Sequence, residues 1–218
     1  SLGSARPISI RRFQAMRHRA IAVGGSPKVE STVGLAASIA VASAKTCGES
    51  CLLVDLVPDD AVFRSSTLLA SAEARSLEGR LRDMGLEAAS RGHICMLSIA
   101  QSSWREIDPA ELSERAGPSR IILSLGSRRP HERIVEWHQG VQGCVALLDL
   151  PAERSLGALV VAEMSARGIA VKVCGRPPGL VAARRALAGV LPGGFAEQYA
   201  QKVVAHFDRG GARGDLAG

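Results

Sequence analysis

The chain has 218 residues, 46% of them hydrophobic and only 3% aromatic, with a formal net charge of +6. That length is ample for one domain with a sizeable core. The scarcity of rings argues against the stacking platforms of single-stranded nucleic-acid binders, so nucleic acid is not an expected partner. The modest positive balance fits an acidic partner, anionic lipid headgroups or solvated arginines alike.

A basic segment, residues 1–19, opens the chain and carries Arg11, Arg12, Arg17 and Arg19. Short β-branched runs then alternate with segments of helical period. The expected strands are Ala20–Val23, Cys51–Asp55, Ile94–Ile99, Arg120–Leu125, Val145–Leu150 and Ala170–Val173. The expected helices are Ser31–Lys45, Ala72–Asp83, Ala110–Arg115, His131–Gln139, Ser155–Arg167 capped by Gly168, Leu180–Ala188 and Phe195–Phe207. Repeated βα units with strands apolar on both faces predict an α/β fold, a doubly wound, mostly parallel sheet flanked by helices. One domain is expected over residues 20–207, with a polar, glycine-rich, disordered tail at 208–218. The last helix has Phe195, Tyr199, Val203 and Phe207 at helical spacing, and its apolar face is expected to pack on the sheet.

No run of about 18 apolar residues occurs, and the opening "SLGSARPISI" lacks the apolar centre of a signal peptide. The five cysteines include no CxxC pair. Cys51, Cys95, Cys144 and Cys174 fall in or beside apolar runs, where cysteine behaves as a small hydrophobe. An odd count without a framework fits a reducing compartment. A cytoplasmic protein without a zinc site is the expectation. The histidines His18, His93, His131, His138 and His206 are dispersed, and spacing alone assembles no triad or metal set from them.

The stretch "IAVGGSPKVEST" sits between the first strand and the first helix, where a phosphate loop of the form GxxxxGK[ST] would lie. Aligned without a gap, Gly25 takes the first glycine and Thr32 the hydroxyl. Glu30 stands where the second glycine belongs, and Ser31 where the lysine belongs. A side chain at the glycine position obstructs close approach of the backbone to phosphate, and a carboxylate there repels it. The missing lysine removes a charge that phosphoryl transfer relies on. Gly24, Gly25, Ser26, Pro27, Lys28, Glu30, Ser31 and Thr32 read either as a vestigial phosphate loop or as a tight turn at Gly24-Gly25 that leads into a capped helix. A helix start near Ser31 or Thr32, with one of them as cap, would still offer free N–H groups to an anion.

The order of landmarks from Arg11 to Gly175 resembles the bacterial tyrosine autokinases of capsule and exopolysaccharide synthesis, P-loop proteins of a deviant Walker class related to the ParA and MinD ATPases. "RRFQAMRH" resembles the family's first helix, E-x-F-R-x-L-R-[TS], keeping Phe13, Met16 and Arg17. Arg11 and Gln14 replace two of its charged positions. "PKVEST" spans the family's P-G-E-G-K-[ST]. "CLLVDLVPDD" resembles the second motif, hhhhDxDxR, with Asp55 at the first aspartate and Val57 at the second. Asp108-Pro109-Ala110-Glu111-Leu112 resembles the "NP.ELL" segment. "SRIILSLGSRRP" fits the Walker B strand, with Ser124 in place of its aspartate. The tyrosine-rich tail that such kinases phosphorylate is absent, for Tyr199 is the single tyrosine.

The resemblance implies a catalytically degenerate, pseudokinase-like protein with no catalytic residue, no metal and no bound cofactor. It would bind a membrane polysaccharide co-polymerase through Arg11, Arg12, Phe13 and Arg17, and be recruited by it to the inner face of the membrane. The family's first helix also supports ring assembly, which leaves a homo-oligomer open. Two alternatives follow from the same residues. One is a degenerate ParA/MinD-type positioning or pilus-assembly regulator. The other is a residual ATPase or protein-tyrosine kinase that binds Mg-ATP through Lys28, Thr32 and Asp55.

Overall fold

Runs such as AIAVG, CLLVD and RIILS offer water no polar face, so each strand they form must be covered on both sides. The structure, a computed structural model, describes residues 20–24, 29–47, 50–55, 68–99, 107–125, 135, 137, 139, 144–148, 162–173 and 195–208. The strands are β1 (Ala20–Gly24), β2 (Cys51–Asp55), β3 (Ala88–Arg91), β4 (Ile94–Ser98), β5 (Arg120–Ser124), β6 (Cys144–Leu148) and β7 (Ala170–Val173). They form one sheet in the order β3-β4-β2-β5-β1-β6-β7. Every neighbouring pair is parallel except β3 with β4. The α/β class and mostly parallel sheet are those read from the sequence.

β3 is not among the expected strands. Its sequence, AASR, carries no strand signal. It is extended because it folds back on the apolar β4 through a tight turn in which Gly92 has φ +54°, a conformation that glycine adopts without penalty.

Side chains alternate across the strands and feed two apolar clusters. Ala20, Ala22, Leu52, Val54, Cys95, Leu97, Ile121 and Leu123 face one way. Ile21, Val23, Cys51, Leu53, Met96 and Ile122 face the other. The first face is covered by α2 (Ala72–Asp83) and α3 (Pro109–Ala116), through Leu77, Leu81, Leu112 and Ala116. Trp137, helical with Val135 and Gln139, is fully buried in that cluster, as are Met164 and Ile169. Ser71 caps α2 by accepting from Ala74 N at 3.1 Å, and Asp108 caps α3 by accepting from Ala110 N at 2.9 Å. Such caps satisfy N–H groups that the first turn leaves unpaired. Arg80 crosses from α2 to the other end of α3, its Nε donating to Arg115 O at 2.8 Å and its guanidinium reaching Ala116 O at 3.5 Å.

The second face is covered by α1 (Val29–Cys47). From Leu35 to Ala44 every residue is buried except Val41, which is partly so. A helix apolar around its whole circumference is an interior helix. The small residues Ala36, Ala37, Ala40, Ala42 and Ala44 allow neighbours to approach on all sides. α4 (Phe195–Asp208) buries Ala200, Val203 and Val204 and exposes Gln198, Gln201 and Lys202. It packs chiefly on α1 rather than directly on the sheet as its sequence suggested, because α1 already occupies that face.

The helical stretch 162–166 ends at Gly168, whose φ of +77° is the left-handed conformation expected of its cap. There Ile169 N donates to Met164 O at 3.1 Å, which closes the helix end. The expected helix Leu180–Ala188 and residues 209–218 of the tail lie outside the described residues.

Among the described residues, no helix is long and apolar enough to cross a membrane.

Candidate functional site

The chain leaves β1 for β2 on one side, returns to insert β5 between them, then passes to β6 on the far side of β1. Such a reversal opens a crevice beyond the carboxyl ends of the strands, the usual ligand position in open α/β sheets. The register sets what lines this edge. Asp55 pairs with Ser98 on β4 and with Ser124 on β5. Ser124 pairs with Val23 on β1, Val23 with Leu147 on β6, and Leu147 with Lys172 on β7. These six residues form one row across the sheet. Gly24 follows Val23 as the last residue of β1.

Asp55 and Ser124 stand in this row, and Gly24 lies one residue beyond it. The row also adds Ser98 and Lys172, which motif reading missed. Ser98 closes β4 and Lys172 is the penultimate residue of β7, and only the strand order relates them to Asp55. Gly25, Ser26, Pro27, Lys28, Val57, Arg11, Arg12, Phe13 and Arg17 lie outside the described residues.

The helix that follows the loop begins at Val29, two residues earlier than expected. Ser31 and Thr32 are therefore inside its first turn, past the cap position. Glu30 lies in that turn as well.

Ser124 is the best-defined member of the row. It is 0% exposed, and its Oγ has no hydrogen-bond partner among the described residues. A buried hydroxyl left unpaired costs about 1–3 kcal/mol. A neutral hydroxyl also differs in kind from the carboxylate of a Walker B strand, for it cannot balance the charge of a divalent cation. With Ser124 in that place, Asp55 is the one acid in the row. Among the described residues, the donor set does not fit a magnesium–nucleotide centre, which relies on positioned carboxylates and a loop lysine.

The cysteines Cys51 and Cys95 contribute no reactive centre. Cys51 is buried and its thiol donates to Arg120 O at 3.2 Å. Burial pushes the Cys95 thiol from an ordinary 9.0 up to about 12, and nucleophilic chemistry requires the thiolate. Among the described residues, no group of three or more His, Cys, Asp or Glu is placed to hold a metal ion.

A comparison with models of known protein families gives no match, and one with curated protein sequences gives none.

Proposed function

We propose that this chain is a catalytically degenerate, tyrosine-autokinase-like protein with a P-loop-type fold. It regulates or scaffolds a membrane polysaccharide co-polymerase in exopolysaccharide or adhesin biosynthesis and export. The observation that carries this reading is Ser124, a buried hydroxyl in register between Val23 and Asp55 and without a partner among the described residues. The strand that would bring the second carboxylate to the crevice brings a group that cannot do its work. Glu30 and Ser31 in the first turn of α1 favour the same reading.

Phosphoryl transfer draws nearly all its catalysis from positioning and charge stabilisation. Removing the loop lysine and one metal-binding carboxylate together removes the means of turnover, while the core that holds the sheet is independent of both. What survives is a surface, and the protein acts by binding. Arg11, Arg12, Phe13 and Arg17 supply contacts to the co-polymerase, and recruitment to the membrane is indirect, through that partner.

The test is co-purification of the full-length chain with a tagged membrane polysaccharide co-polymerase. Retention of the wild-type chain, and its loss on R11A/R12A/R17A, is the expected result. A well-expressed co-polymerase that never retains the wild-type chain contradicts the reading.

A further inference from the structure

We draw no further inference here: the strongest candidate, the side-chain row of Ser98, Asp55 and Ser124 at the carboxyl ends of β4, β2 and β5, belongs to the site already described, where Ser124 is fully buried and so open to no ligand.

Discussion

The two ends of the sheet treat buried hydroxyls in opposite ways. At the amino end, Ser50 and Ser119 immediately precede β2 and β5, and their Oγ atoms bond each other at 2.8 Å. Arg120 Nη1 reaches Ser43 Oγ on α1 at 3.4 Å, Cys51 N donates to His93 O at 2.9 Å, and the Cys51 thiol donates to Arg120 O. Polar groups there are paired as a stable interior demands. At the carboxyl end of the same β5, Ser124 is just as buried and has no partner among the described residues. One strand therefore runs from a polar cluster that serves stability to a polar group that does not. The contrast marks the carboxyl edge as the place where residues are set by something other than stability, and the amino edge as structural.

Substitutions at the two ends are expected to differ in sign as well as size. Ser124→Asp should have the largest effect. It places a carboxylate in a fully buried position without a counter-charge, which costs about 3 kcal/mol or more, read as a large drop in the urea midpoint. A variant as stable as wild type would mean that the position is wetter than its burial implies. Next comes Ser119→Ala, which strands the Ser50 hydroxyl and should cost about 1–3 kcal/mol. The double variant Ser50→Ala with Ser119→Ala should recover part of that loss, because no orphan remains. Ser124→Ala is the counterpart at the other end. It removes an unpaired hydroxyl, so it should leave stability unchanged or raise it by about 1 kcal/mol. A loss comparable to that of Ser119→Ala would erase the contrast between the two ends.

The smallest effect concerns Cys95. Its native thiol ionises only near pH 12, against an ordinary 9.0. Between those values the unfolded state binds fewer protons than the native state, so stability is complete below about pH 9 and declines as pH rises toward 12. Cys95→Ala should flatten that part of the pH–stability curve. In the native wild type, iodoacetamide at pH 8 should leave Cys95 unmodified.

How much of this was legible in the sequence follows from what each feature depends on. The six parallel strands were legible because burial on both faces writes an apolar run into the chain. β3 was not, since "AASR" is extended only through its pairing with β4. Helix α1 was legible in its alanine-rich body but not at its start, because Val29 and Glu30 interrupt no pattern that marks a boundary. Asp55 and Ser124 were singled out through the motifs of the resembled family, and the structure places both at the carboxyl ends of strands. Ser98 and Lys172 were not, because they join the row only once β4 lies beside β2 and β7 beside β6. Strand order is a property of the whole fold, and no local spacing encodes it.

On the proposed function, the residues at the carboxyl ends of β1, β2 and β5 support no magnesium–nucleotide centre. Isothermal titration calorimetry of the full-length chain with Mg-ATP tests it most directly. The account predicts no saturable heat at millimolar nucleotide. Saturable binding that disappears in both Lys28→Ala and Asp55→Ala would contradict it.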